Sequence, residues 1–242
     1  VPVDDNGLDI TSGIQNYPDA RFALITPAHQ SPLGVALSLA RRHQILEWAD
    51  RSQAWIIEDD YDSEFRYHGK PLPALKSLDA PQRVIYAGTF SKALFPALRC
   101  AWLVLPVKQI AQFRHQASLA PCAVPVLWQN TLADFLREGH FWRHLKKMRQ
   151  HYAQRRQWIE QALTQQGFQV VPQKGGIQMV IRMIGDDIAH ARKANAAGLA
   201  VQALSDWRIR SSGEGGLLLS FTNIVNEGMA RQVAQQLRKA LS

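Results

Sequence analysis

Short apolar runs alternate with a helical pattern along the first half of the chain. Each run is bounded by Pro, Gly or charged residues, as buried strands are. The runs lie at 22–26, 54–58, 84–87 and 101–105. Between the first two, apolar residues recur at helical spacing from Val35 to Ala49. This order of strand, helix and strand predicts a largely parallel sheet covered by helices, which places ligands at the carboxyl ends of its strands.

The pattern changes to long helices at about residue 125. Apolar residues from Leu145 to Leu163 form one stripe, which predicts a long amphipathic helix. Strand candidates follow at 168–171, 178–181 and 217–221, and a final helix has Asn226 as its candidate N-cap. We therefore predict an α/β fold with a large domain at 1–125, connecting helices at 126–165 and a small α+β domain at 166–242.

Composition places the chain among ordinary globular proteins, with 46% hydrophobic and 20% charged residues. No apolar run approaches the roughly 20 residues of a membrane helix, and the N-terminus does not resemble a signal peptide. Cys100 and Cys122 are too few for a disulfide framework, which favours the cytoplasm. The net charge of +8 and the basic stretch 137–156 fit a solvated helix face or a salt-dependent contact with DNA.

The strand predicted at 54–58 leads directly into acidic residues and Tyr61. Because side chains alternate along a strand, Ile57, Asp59 and Tyr61 share a face if the extended conformation persists. A carboxylate and a phenol would then emerge together at the carboxyl end. On its own, this segment is more typical of a solvated acidic loop.

The next strand is followed by Gly88, the hydroxyls of Thr89 and Ser91, then Lys92 and Arg99. Hydroxyls, free loop N–H groups and a guanidinium together form a phosphate cradle. A lysine in apolar surroundings beside another cation becomes the nucleophilic amine that a Schiff base requires. A lone Ser-Lys pair is usually part of an exposed loop. Together, however, the two segments supply a lysine, a carboxylate, a phenol and a phosphate pocket, which are the groups that pyridoxal 5'-phosphate (PLP) needs.

Several segments resemble signature segments of the MocR subfamily of GntR regulators, whose members join a winged helix-turn-helix to a domain related to fold-type I aminotransferases. They read TPAHQSPLG at 26–34, IEDDYDSEFRY at 57–67 and GTFSK at 88–92. The stretches 139–149 and 172–176 also resemble that domain, so the resemblance covers nearly the whole chain. It implies a fold-type I, PLP-dependent transferase-like fold whose large domain is partial here and begins upstream of Val1.

By motif position, the resemblance implies a role for each candidate residue. Lys92 would be the Schiff-base lysine, Asp59 the partner of the pyridine nitrogen and Tyr61 the donor to the phenolic oxygen. Ser31 occupies the place where aminotransferases usually carry an Asn near the ring oxygen. The residues that would face the phosphate are Thr89, Ser91 and Arg99.

One departure from the aminotransferase pattern affects the predicted activity. Aminotransferases usually carry an Arg in the late strand that grips the substrate carboxylate with a bidentate pair, and Leu218 stands at that position here. Arg208 and Arg210 lie upstream as possible spatial substitutes. The sequence therefore favours a PLP-binding, effector-sensing and dimerisation domain of a cytoplasmic transcriptional regulator over a domain that turns substrate over.

Two alternatives remain open. One is a PLP-dependent class I/II aminotransferase acting on an amino acid or amine; the other is a degenerate fold without cofactor, against which the presence of Lys92 argues. The resemblance implies a homodimer, an effector that is a small amine, an amino acid or PLP itself, and DNA contact through a winged helix-turn-helix outside this chain. No Cys/His spacing suggests a metal site.

Overall fold

The computed structural model of the chain describes residues 1–70, 72–120, 124–209 and 213–242. Two compact units are present. The first comprises Val1–Ser31, Val35–Glu64 and Lys70–Leu145, and the second comprises Pro32–Gly34, Phe65–Gly69 and Lys146–Ser242. Cys122 and Arg210 lie outside the described residues. Within the described ranges, no helix combines the length and the apolar character needed to cross a membrane.

The first unit contains a hairpin, a four-stranded sheet and several helices. Its elements are β1 (Val3–Asp4), β2 (Gly7–Leu8), α1 (Ile10–Asn16), β3 (Phe22–Ile25), α2 (Leu39–Arg51), β4 (Trp55–Asp60), β5 (Val84–Thr89), β6 (Ala101–Val104), α3 (Ile110–Leu119), α4 (Val126–Arg137) and the start of α5 (His140–Gln165). Short 3₁₀ helices lie at Leu75–Leu78, Pro96–Leu98 and Val107–Gln109.

The large sheet has the order β3-β4-β5-β6, in which the first three strands are parallel and β6 is antiparallel to β5. The predicted, largely parallel sheet is therefore confirmed. Helix α2 connects β3 and β4 and packs Ile45 and Ala49 against Ile56 and Val84. The predicted helical segment was wrong at its start: Val35 lies in a loop, because the Ser38 hydroxyl accepts the Arg41 N–H and begins the helix there.

The two faces of this sheet differ, because side chains alternate along each strand. The face of Ile56 and Val84 is buried beneath α2. The opposite face carries Phe22, Leu24 and Leu103, which are 61%, 69% and 51% exposed. By the same alternation, Asp59 and Thr89 belong to this second face.

The second unit is a smaller α+β unit. Its elements, after the remainder of α5, are β7 (Gln169–Val170), β8 (Gln178–Met183), α6 (Asp187–Ala196), β9 (Val201–Ala203), a 3₁₀ helix (Leu204–Trp207), β10 (Gly215–Ser220) and α7 (Glu227–Leu241). The strands form an antiparallel sheet in the order β7-β8-β10-β9. Its core joins Leu163 of α5, Met179, Leu217 and Leu237. The predicted N-cap is confirmed, since Asn226 Oδ1 accepts the Met229 N–H at 2.8 Å.

Candidate functional site

The candidate site lies at the carboxyl ends of β4 and β5. These parallel strands pair Asp59 with Ala87 and Asp60 with Gly88, so both end at the same edge of the sheet. Strand β4 extends to Asp60, so Glu58, Asp59 and Asp60 lie within the strand rather than in a loop. The sheet consequently brings Asp59 and Thr89 to one edge and one face.

Two of the neighbouring acids have structural partners. The carboxylate oxygens of Glu58 accept the N–H groups of Leu75 and Lys76, each at 2.7 Å, and so cap the 3₁₀ helix. Burial raises the pKa of Glu58. Asp60 Oδ2 accepts the Tyr86 hydroxyl at 2.8 Å. The carboxylates of Glu58 and Asp60 therefore stabilise the strand ends and the adjoining loops.

Asp59 is different, because its half-buried carboxylate makes no hydrogen bond or ion pair with any residue that the structure describes. Burial raises the pKa of Asp59, and the charges of Asp60 and Asp62 raise it further. A cation placed beside this carboxylate would offset both effects. A positively charged ligand group would therefore stabilise the Asp59 carboxylate.

Tyr61 follows β4 directly and presents a protonated phenol. Burial raises the pKa of Tyr61, as does the charge of Asp62, whereas the nearby Ser31 side chain lowers it. The net effect is upward, so the hydroxyl keeps its hydrogen at neutral pH and can donate it. In this structure the hydroxyl donates to the backbone oxygen of His29 at 3.2 Å.

Sequence reasoning missed two residues of this site, His29 and Asp62. Nδ1 of His29 lies 3.1 Å from the Tyr61 hydroxyl oxygen and 3.2 Å from Asp62 Oδ2. The signal was present in the chain, because His29 follows β3 as Tyr61 follows β4. Those strands are parallel neighbours, so their following segments meet.

The segment after β5 forms a turn rich in donors. The Thr89 hydroxyl donates to Ser91 Oγ at 3.0 Å, and the Ser91 N–H donates to Thr89 Oγ1 at 3.1 Å. Across the described part of the chain, no acceptor is found for the backbone N–H groups of Lys92 and Ala93. Ala93 anchors the turn, because its side chain is buried and its carbonyl oxygen lies 2.9 Å from His144 Nε2. Hydroxyls and free N–H groups thus occur together, as a phosphate site requires.

Both basic candidates extend into solvent. Lys92 is exposed. The prediction of apolar surroundings for this lysine was therefore wrong for the part of the chain that the structure describes. Arg99 is also exposed and has a left-handed backbone, with φ of 50°, after the 3₁₀ helix at Pro96–Leu98. Neither side chain forms a hydrogen bond or an ion pair with the residues described. Both are therefore available to a ligand.

The residues at this edge fit PLP by their chemistry. Asp59 offers an unpaired carboxylate, Tyr61 a protonated phenol, and Thr89 and Ser91 a hydroxyl pair beside free N–H groups. Lys92 adds an exposed amine. PLP presents a pyridine nitrogen, a phenolic oxygen, a phosphate and an aldehyde, and each has a suitable group here.

Leu218, in the second unit, is enclosed by apolar side chains. It is 2% exposed in β10 and clusters with Val180 and Leu204, against which Leu33 and Val171 pack. The side chain at the position of the usual carboxylate-binding Arg is therefore part of a hydrophobic core.

Comparisons with known proteins agree with this fold. The family model described as aminotransferase class I and II matches residues 4–213. The probable rhizopine catabolism regulatory protein MocR of Rhizobium meliloti is 35% identical over 99% of this chain and 49% of its own length. The pyridoxine biosynthesis transcriptional regulator PdxR of Corynebacterium glutamicum is 32% identical over 100% of this chain and 52% of its own length. The chain thus spans about half the length of these two relatives.

Among solved structures, the chain is similar to the kynurenine aminotransferase of Pyrococcus horikoshii, whose crystal structure contains PMP. The TM-score is 0.88 at 24% identity, over 100% of this chain and 62% of that chain. The predicted fold-type I architecture is therefore confirmed.

Proposed function

Since this chain belongs to the class I and II aminotransferase family, we propose that it is the PLP-binding, effector-sensing domain of a MocR-type GntR transcriptional regulator. The observation that carries the proposal is the Asp59 carboxylate, which is half-buried and has no partner in the described chain. A protonated pyridine nitrogen is the cation that this position fits.

Each candidate residue then has a defined task. Bound PLP supplies an aldehyde for amines and an electron-withdrawing ring. Lys92 provides the amine that holds it, Asp59 keeps the pyridine nitrogen protonated and Tyr61 donates a hydrogen bond to the phenolic oxygen. Ser31 would lie near the same oxygen by motif position, and its side chain influences the pKa of Tyr61. The phosphate is bound by Thr89, Ser91 and Arg99.

Sensing is favoured over turnover by two observations. Leu218 is buried among apolar residues, so it offers no charge to a substrate carboxylate. The MocR and PdxR relatives, which align over nearly the whole chain, are regulators by name. The name of PdxR links it to pyridoxine biosynthesis, which supports PLP itself as an effector beside a small amine or an amino acid. We further propose a cytoplasmic homodimer that contacts DNA through a winged helix-turn-helix outside this chain.

The cofactor site is tested by adding PLP to the purified chain and recording visible absorbance, followed by borohydride reduction and peptide mapping. We expect a visible band and a reduced adduct on Lys92. Lys92→Ala should abolish both, whereas the matched control Lys108→Ala, an exposed lysine in a 3₁₀ helix, should retain both. Absence of the band in this chain and in a longer chain with its upstream segment would contradict the proposal.

The alternative function is that of an aminotransferase, which the match to the class I and II aminotransferase family model supports. It is tested by incubating the PLP-loaded protein with an amino donor and a keto acid. We expect no multiple turnover. Steady formation of the new amino acid, abolished by Lys92→Ala, would show that the protein is an enzyme.

A further inference from the structure

A buried histidine and a buried aspartate lie directly behind Tyr61. His29 is 8% and Asp62 is 2% exposed. Nδ1 of His29 lies within 3.1 Å of the Tyr61 hydroxyl oxygen and 3.2 Å of Asp62 Oδ2. The proposed function uses Tyr61 but gives His29 and Asp62 no role.

The contacts determine where the hydrogens lie. A lone pair on Nδ1 would face a carboxylate oxygen and be repelled, so Nδ1 carries a hydrogen. The Tyr61 hydroxyl donates its own hydrogen to the His29 backbone oxygen, and its oxygen therefore accepts Nδ1–H. Nε2 is buried without a partner in the described chain, so a hydrogen there would have no acceptor. The contacts therefore favour the tautomer with its hydrogen on Nδ1.

Asp62 acts on this ring by charge. Its Oδ2 lies at ion-pair distance from Nδ1 but makes no hydrogen bond, so the Nδ1–H bond points at Tyr61. The negative charge behind the ring favours the hydrogen on Nδ1. A hydroxyl that accepts such a hydrogen bond becomes a stronger donor, because successive hydrogen bonds polarise one another.

We propose that His29 is a positioning residue for Tyr61, held in its Nδ1–H form by Asp62, and that it orients and polarises the hydroxyl that meets the phenolic oxygen of PLP. This inference rests on the proposed function. The Tyr61 hydroxyl turns its hydrogen from the His29 carbonyl to the ligand while its oxygen still accepts Nδ1–H. His29 itself need not touch the ligand.

The test compares the PLP dissociation constants of His29→Leu and His29→Asn by absorbance titration. Leu fills the space without a donor, whereas the Asn amide can replace Nδ1–H. We expect up to about fivefold weaker binding for His29→Leu, because the most that a misoriented Tyr61 can lose is its one hydrogen bond to the ligand, and a value within about twofold of wild type for His29→Asn. In a Tyr61→Phe background, His29→Leu should cause no further loss.

A role limited to packing predicts a different result. Equal weakening by Leu and Asn, or an undiminished loss in the Tyr61→Phe background, would overturn the inference. Normal binding by His29→Leu would overturn it while leaving the PLP site intact. Failure of the wild-type chain to bind PLP would instead overturn the proposed function and this inference with it.

A second measurement needs no cofactor. NMR of imidazole-¹⁵N-labelled protein should show His29 as the neutral Nδ1–H tautomer, and Asp62→Asn should shift it toward the Nε2–H form. A wild-type His29 in the Nε2–H form would refute the proposed hydrogen-bond direction.

Discussion

A methyl group at residue 88 is expected to disrupt the packing beneath the turn that carries Lys92. In Gly88→Ala the added carbon would lie 2.3 Å from Cζ2 and 2.4 Å from Cε2 of Trp102, which pairs with Gly88 across β5 and β6. Carbon atoms normally approach to about 3.5–4.0 Å, so the indole must move by more than about 1 Å. Its ring centroid lies 4.7 Å from that of Phe90, and this contact would be lost.

The two effects set the magnitude. Overpacking costs about 1–3 kcal/mol and the aromatic pair contributes about 0.5–1.5 kcal/mol, so the free energy of unfolding should fall by about 2–4 kcal/mol. Urea unfolding followed by tryptophan fluorescence measures this change. The matched control is Gly13→Ala in α1, where the added carbon meets Val1 at an ordinary 3.5 Å and should leave stability equal or raise it by up to about 1 kcal/mol. An unchanged urea midpoint for Gly88→Ala would refute the packing argument.

Three further substitutions test the second unit by urea unfolding. Burial raises the pKa of Asp187, but hydrogen bonds including the one from the Gly216 N–H lower it overall, below 3.8. Its stabilisation is therefore present at neutral pH and lost as the pH falls through the folded-state pKa. Asp187→Asn should cost about 1–3 kcal/mol at neutral pH and progressively less below about pH 4; a pH-independent difference would contradict this. Leu218→Arg should cost about 3 kcal/mol or more, because it buries an unpaired charge, and a stable variant would mean that the apolar cluster is open. Asn226→Ala should cost about 1 kcal/mol by removing the cap on the Met229 N–H, and an unchanged midpoint would show that the cap contributes nothing.

The sequence predicted elements well where one residue pattern decided the outcome. The apolar runs became β3 to β6, and the stripe from Leu145 to Leu163 became part of α5. Strand β9 and helix α6 were not predicted, although α6 has a clear N-cap in Asp186, which accepts the Ala189 N–H at 3.0 Å. Helix α6 has a weak apolar pattern, and its core contacts come from small residues such as Ala191 and Ala194.

The sequence by itself determined which groups stand at the ends of β4 and β5, because alternation along a strand is a local property of the backbone. It also determined the family, since the residues of the motifs are contiguous. Only the tertiary structure decided which acid is free: Glu58 accepts the Leu75 N–H, and Asp60 accepts the Tyr86 hydroxyl as well as hydrogen bonds from the nearby Ser63, while Asp59 finds no partner among the residues described. Only the pairing of β3 with β4 brought His29 to Tyr61, because contacts between parallel strands depend on register and not on which residues are adjacent in sequence.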